Sequence, residues 1–444
     1  MAQAEIDTSP RVTEVLGKVD ELPPGTKKIF VIKDKPVLVI NDNGNYYGIT
    51  GMCSYYDSLE QGVYYNGRIR CALHGACYNV KTGELEDYPA LDSLYTYDVK
   101  EQDGNIVLTT TEKQLQNIRR TRMPKFLQTR HDDPIVIVGG GISASTFVEH
   151  VRMNGCQSPI IIVTSEGIQP YNRVLLTKVH GFDSNRRSVA MSTGKRWRYS
   201  KLVLALGVVP KKLDVPGADL KNIYTLRVPH EANAIAKHAE GKRVVCIGGS
   251  FLATEIASTL CHSSKSSVTI VCEKEEPLPA LGPDIGAAVR KRFEEKGVRV
   301  LVNQSVKWFI GQDTVSGVVI TSGDTVPADV VVVAIGVKPP TDWLRDTPVE
   351  LDENGFIKVD CNFKTTAKNV YAIGDVVSAP LPLWGIDSIN IQHLQTAQSH
   401  GQMLGYSILG YEYPHELVPF YWVAYFFEFG IQFSGESSFE QTFK

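Results

Sequence analysis

Residues 135–144 read Ile-Val-Ile-Val-Gly-Gly-Gly-Ile-Ser-Ala. Four consecutive β-branched residues make a short continuous apolar strand, as in a parallel sheet buried on both faces. The turn Gly139-x-Gly141-x-x-Ala144 follows at once, and a helix-like stretch opens from it. Gly139 permits the tight turn, Gly141 lets an anion approach the backbone, and Ala144 lets the helix close on the strand. Free N–H groups and the helix dipole at such a turn favour a pyrophosphate. The strand Ile160–Val163 completes a βαβ unit, and Ser165 or Glu166 follows where a ribose acceptor is expected.

The same grammar recurs about a hundred residues later. Arg243–Ile247 is a strand, Gly248-Gly249-Ser250-Phe251-Leu252-Ala253 the turn, and Val268–Val271 the second strand. Ser250 replaces the middle glycine. Glu273 stands 25 residues after Gly248, where a carboxylate can bond ribose hydroxyls and repel a 2′-phosphate. That favours NAD over NADP, although Lys274 beside it works the other way. One such turn is a weak signal; two in βαβ contexts reinforce each other. A third strand, Tyr371-Ala372-Ile373-Gly374-Asp375, ends in Gly-Asp. Its position suggests one nucleotide domain interrupted by the other.

At 444 residues the chain has room for roughly three domains of about 150 residues. The net charge of −3 suggests neither a nucleic-acid partner nor an anionic membrane surface. No apolar run reaches the ~18 residues of a membrane span. The opening MAQAEIDTSPRVTEVLG has no apolar core and one arginine, so a cytoplasmic location is expected. The eight cysteines are scattered and none forms C-x-x-C. A disulfide framework and a dithiol active site are therefore both unexpected.

Residues 27–110 have the pattern of a small β domain. Ile29–Val31, Val37–Ile40, Tyr46–Ile49 and Ile106–Thr109 are strand-like, separated by Asn- and Gly-rich turns. Within it lies Cys71-x-x-His74-Gly75-Ala76-Cys77-Tyr78, preceded by Cys53. The box resembles that of Rieske proteins, whose [2Fe–2S] cluster takes two thiolates on one iron and two imidazoles on the other. Cys53, Cys71 and His74 are the implied ligands. Tyr55 stands where the second histidine is expected, and His74 is the one histidine before residue 131.

Ala205-Leu206-Gly207, Ala334-Ile335-Gly336-Val337-Lys338-Pro339 and the Gly374-Asp375 strand together resemble the pyridine-nucleotide–disulfide-oxidoreductase superfamily. Pro170-Tyr171-Asn172-Arg173 with Leu176-Thr177-Lys178 resembles its apoptosis-inducing-factor-like and ferredoxin-reductase-like members. A Rieske domain placed before such a reductase is similar to one apoptosis-inducing-factor-like branch, over nearly the whole chain. The resemblance implies a multidomain fold: a Rieske-like all-β domain, then two interleaved Rossmann-like α/β dinucleotide-binding domains, then a truncated α+β domain. The expected boundaries are 25–112 for the Rieske-like domain, 113–132 for a linker, 133–240 and 351–414 for the FAD domain, 241–350 for the NAD(H) domain, and 415–444 for a remnant of the third.

It also implies an oxidoreductase with FAD, NAD(H) and a [2Fe–2S] cluster, passing electrons from NADH through FAD to an iron–sulfur centre or another acceptor. Arg173 and Lys178 would lie beside the flavin, Asp375 would hold its ribitol, and Glu255 and Gly336 would sit near the nicotinamide. Lys178 and Glu255 are the candidate catalytic residues.

Three departures from the family, Tyr55 being the first, point to a rival reading, an impaired isoform acting as an interaction protein. The segment from Lys178 to Lys201 is short, as after an internal deletion, and should weaken flavin retention. The aromatic run Phe420–Phe427 lacks the rest of its domain and is expected to expose an apolar edge. The family also suggests a mitochondrial alternative for location.

Overall fold

The structure, a computed structural model, describes residues 8–55, 57–122, 132–166 and 199–435. Two compact units emerge. Of the described residues, one unit comprises those within 8–122 with 149–157 and 408–415; the other holds the rest. Among the described residues no helix is long and apolar enough to cross a membrane.

The first unit is built on a six-stranded antiparallel sheet in the order Arg11–Lys18, Asn105–Thr111, Thr96–Gln102, Asn45–Thr50, Lys35–Asp42, Lys27–Ile32. A four-stranded sheet runs Val63–Tyr65, Arg68–Arg70, Cys77–Asn79, Leu85–Asp87. The run Val37–Ile40 is continuous in sequence because both its faces are covered. Val37 and Val39 enter a core with Val12, Ile106 and Leu108. Leu38 and Ile40 enter another with Cys53, Cys71, Tyr78 and Leu94.

Two expected boundaries move. The sheet begins at Arg11, which pairs with Thr111, and not near residue 25. The first part of the expected 113–132 linker, residues 113–120, is bound to the β domain. Thr111 caps the helix Glu112–Gln116 by accepting from the Gln114 N–H. Arg120 and Ser93 exchange backbone hydrogen bonds at 2.8 and 3.0 Å, and the Arg120 guanidinium donates to Leu94 O, Thr82 O and Glu84.

The second unit contains two parallel sheets. The first orders Ile160–Val163, Ile135–Val138, Lys201–Leu204 and Val370–Ala372; the second orders Ile223–Tyr224, Val330–Val333, Arg243–Ile247, Ser267–Val271 and Arg299–Leu301. All five strands of the second fall between the last two strands of the first, so the two nucleotide folds are interleaved as expected.

The expectation of an exposed aromatic edge at 420–427 is overturned. Phe420–Tyr425 pairs with Phe429–Ser434 as a hairpin. Val423, Tyr425 and Phe426 are buried in the core of the five-stranded domain, with Ile256, Leu260, Phe293 and Val332. Val423, Tyr425 and Phe426 complete that core, Tyr421 packs against Leu381, Ile391 and Leu417, and Phe427 stays exposed.

Candidate functional site

A cavity of about 850 Å³ opens at the C-terminal ends of the parallel sheet built on Ile135–Val138, where open α/β sheets bind ligands. Its wall includes Gly139, Gly141, Ser165, Glu166, Asp375 and, from the helix Phe251–Ser263, Glu255. Gly139 has φ +112°, and a Cβ there would lie 2.1 Å from the Ala205 carbonyl oxygen. A Cβ on Gly141 would meet nothing within 4 Å and would project into open space. Ala144 is buried behind the turn. Asp375 lies on the tight turn Gly374–Val376. The Asn390 amide holds that turn by donating to Asp375 O at 2.9 Å and Val377 O at 2.6 Å.

Gly374 N–H donates to His400 Nδ1 at 3.3 Å. Burial pushes His400 down to about 3 and His393 down to about 4, against about 6.5 for a free imidazole. Below about pH 6.5 the unfolded chain therefore binds protons that the folded chain refuses. Their stability contribution is full above that pH and is lost as pH falls towards about 4 and 3. The unfolding free energy, read from denaturant curves, should drop between about pH 7 and 5, by up to ~1.4 kcal/mol per pH unit for each histidine. His400→Gln should flatten the slope; an unchanged slope counts against the assignment.

The second turn stands at the C-terminal edge of the five-stranded sheet. Gly248 has φ +118°, with Ala334 O 2.3 Å from the position of a Cβ. Ser250 Oγ accepts from Ala253 N–H at 3.2 Å and donates to Ala334 O at 2.9 Å. The serine thus caps the helix and ties the turn to the neighbouring strand. Ala253 is buried, Gly336 has φ +99° with open space beside it, and Glu273 is exposed just beyond Ser267–Val271. Gly248, Ser250, Ala253, Glu273 and Gly336 do not line the large cavity, whereas Glu255 does. Arg173, Lys178 and the short segment after them lie outside the described residues.

Sequence reasoning missed Arg227 and Trp343 in the cavity wall. Arg227 precedes the helix Pro229–Ala239, and its N–H donates to Glu231 at 2.6 Å. Pro229 and Glu231, helix-opening residues, were the available signal. Trp343 is 57% exposed and donates its Nε1–H to Pro340 O at 3.0 Å.

In the β domain, Cys53 and Cys71 are buried neighbours. The Tyr78 hydroxyl lies 3.2 Å from Cys53 Sγ and 2.9 Å from Ser54 Oγ. A hydrogen bond with Cys71 holds the Cys53 thiol down at about 7 despite burial. The same bond, with burial, pushes Cys71 up. Arg70 braces the box by donating to Gly75 O at 2.8 Å and to Asp87 at 2.7 Å. The Tyr55 ring meets the His74 ring edge-on at 5.1 Å. Among the described residues no group of three or more His, Cys, Asp or Glu side chains is placed to hold a metal ion. The donor set is two thiols, one imidazole and a phenol, which does not fit the two-thiolate, two-imidazole set of a Rieske cluster.

A family model described as pyridine nucleotide-disulphide oxidoreductase matches residues 181–401, and one described as Rieske [2Fe-2S] domain matches residues 13–98. Apoptosis-inducing factor 3 of Homo sapiens is 33% identical over 427 residues, covering 88% of this chain and 70% of its own length. The chain belongs to the apoptosis-inducing factor 3 family. Within that family the reductase domain implies FAD and NAD(H), and the Rieske domain implies a [2Fe–2S] cluster. The ferredoxin–NAD(+) reductase component of the biphenyl dioxygenase system of Paraburkholderia xenovorans (strain LB400) is 27% identical, covering 65% of this chain and 78% of its own. Among solved structures, Fdr9 is 28% identical with a TM-score of 0.60, covering 70% of this chain and 84% of its own. Putidaredoxin reductase in its covalent complex with putidaredoxin, 22% identical, shares the fold with a TM-score of 0.63 over 69% of this chain and 82% of its own. For the apoptosis-inducing factor 3 family, the first glycine turn fits FAD: its backbone is open at Gly141, and a half-buried carboxylate, Asp375, lines the same cavity.

Proposed function

We propose that this chain is an NADH-dependent flavin oxidoreductase that delivers electrons to a one-electron iron–sulfur acceptor. The observation that carries the reading is a cavity lined in common by Gly139–Ser143, Asp375 and Glu255. Residues 133–240 with 351–414 would hold FAD, and residues 241–350 NADH. A bound FAD supplies the conversion of a two-electron donor into single electrons. The Gly139–Ala144 turn would take the pyrophosphate, Ser165 or Glu166 the adenosine ribose, and Asp375 the ribitol hydroxyls. Glu255 would orient the nicotinamide from the other side. Arg173 and Lys178 keep, on resemblance, a place beside the flavin. Support for a separate iron–sulfur protein as acceptor comes from the ferredoxin and rubredoxin reductases among the relatives and from the incomplete donor set around Tyr55.

Anaerobic addition of NADH to the FAD-loaded chain should bleach the flavin, and a ferredoxin-type protein should restore its colour. A flavin that NADH leaves oxidised would refute the proposal. The exposed Glu273 should set the choice of nucleotide, so NADH should outperform NADPH. Glu273→Ala should narrow that preference by about tenfold, the scale of ~1.4 kcal/mol. Equal kcat/KM for the two nucleotides in the unmodified chain would count against Glu273.

A further inference from the structure

The helix Phe251–Ser263 carries Thr254, Ser258 and His262 four residues apart, hence on one stripe. Each meets the turn of the C-terminal hairpin. Thr254 Oγ1 lies 3.0 Å from the Tyr425 hydroxyl. Ser258 Oγ accepts from Phe426 N–H at 3.3 Å. The His262 and Phe427 rings are 5.6 Å apart. The turn also grips the next helix, Pro283–Glu295: Tyr425 and Phe426 pack edge-on against Phe293 at 5.2 and 4.9 Å. Phe426 and Phe427 adopt φ +53° and +58°, a left-handed conformation costing about 1–2 kcal/mol per residue. Such a conformation persists where surrounding contacts over-determine it.

The hydrogen-bond bookkeeping fixes a direction. Thr254 Oγ1 also lies 3.1 Å from Ser250 O and 3.0 Å from Phe251 O. A threonine hydroxyl has one proton, and these carbonyls accept it. Tyr425 must therefore donate to Thr254, and burial pushes its phenol up, keeping it protonated. The chain of bonds runs from Tyr425 through Thr254 to the Ser250 carbonyl, and a separate bond from the hydroxyl of the same residue ties the turn to Ala334 O. It ends on the second glycine turn, and Glu255, next to Thr254, lines the large cavity.

We propose that Tyr425 is a positioning residue for the nicotinamide dinucleotide: the hairpin holds the first turn of this helix so that the Gly248–Ala253 turn and Glu255 keep their places. The inference rests on the reading that this turn binds NADH. Tyr425→Phe removes only the hydroxyl, and Thr254→Val removes its partner. In the full-length, FAD-loaded chain each should raise the NADH dissociation constant about fivefold, the equivalent of ~1 kcal/mol. The double variant should be little worse than either, because both break one bond. A lowered melting temperature with unchanged NADH affinity in Tyr425→Phe would reduce the hydroxyl to a structural role and overturn the proposal. Additive effects in the double variant would also overturn it. An unmodified chain that binds FAD but no NADH would overturn the underlying reading, and the proposal with it.

Discussion

Gly139→Ala is expected to abolish flavin binding and to destabilise the second unit, whereas Gly141→Ala should lose the flavin alone. The added methyl at Gly139 would lie 2.1 Å from Ala205 O and 2.6 Å from Ala205 C. Both are backbone atoms of the segment that follows the strand Lys201–Leu204, itself paired with Ile135–Val138. Relief requires the turn to leave the sheet, breaking the bonds from Gly139 N–H to Val163 O and from Ala205 N–H to Val138 O, both 2.8 Å. Two lost backbone bonds at about 1 kcal/mol each, plus backbone strain of ~1 kcal/mol, suggest a cost of about 3 kcal/mol. At Gly141 a methyl has free space on the protein side. It occupies instead the place where the pyrophosphate must approach the backbone. That variant should keep its denaturant midpoint and lose at least about tenfold in FAD affinity. Visible flavin absorbance after dialysis, read beside the unfolding curve, separates the two. If Gly141→Ala retains stoichiometric flavin, the pyrophosphate does not sit on this turn.

How much of this was legible in the sequence depended on what each segment packs against. Ile135–Val138 and Arg243–Ile247 are read easily because parallel strands are buried on both faces and are followed at once by their glycine turns. Arg11–Lys18 was missed because it is an edge strand with most of its side chains in solvent; Val15 is 64% exposed. Its pattern is set by pairing with Asn105–Thr111, a partner nearly a hundred residues away. Phe420–Phe427 was misread for a related reason. Local pattern shows an apolar run but not its cover, and here the cover is Phe293 and the Thr254–Ser258 stripe. In the cavity wall, Gly139, Gly141 and Asp375 were visible because a glycine turn after a strand and a strand ending in Gly-Asp have fixed sequence patterns. Arg227 and Trp343 reach the cavity from the ends of unrelated elements, and no fixed interval leads to them. The box around Cys53 was legible in both senses, since the motif and the odd residue within it are equally plain.

That odd residue carries the last expectation: the unmodified chain should hold well under two irons, and reduction should produce no typical Rieske paramagnetic signal. Cys53 and Cys71 are adjacent and braced, with Tyr78 on Cys53 and Arg70 holding Gly75 O. The thiolate half of a cluster site is therefore present. The other half needs two imidazoles, which ligate in their neutral form. His74 supplies one, and beside it, edge-on at 5.1 Å, is the Tyr55 ring. A phenol ligates strongly only after losing its proton, and the phenolate adds negative charge to an iron that must also accept an electron. Both effects disfavour the reduced cluster. Tyr55→His removes both, and should raise iron and acid-labile sulfide per chain several-fold under the same reconstitution. Flavin content, governed by other residues, should not change, so the flavin serves as an internal measure of folded protein. Two irons per chain and a normal Rieske signal in the unmodified protein would mean that a ligand other than Tyr55 completes the box. Iron that stays low in Tyr55→His would place the defect elsewhere in the loop, with Asp57, 3.7 Å from Cys71 Sγ, the next residue to replace.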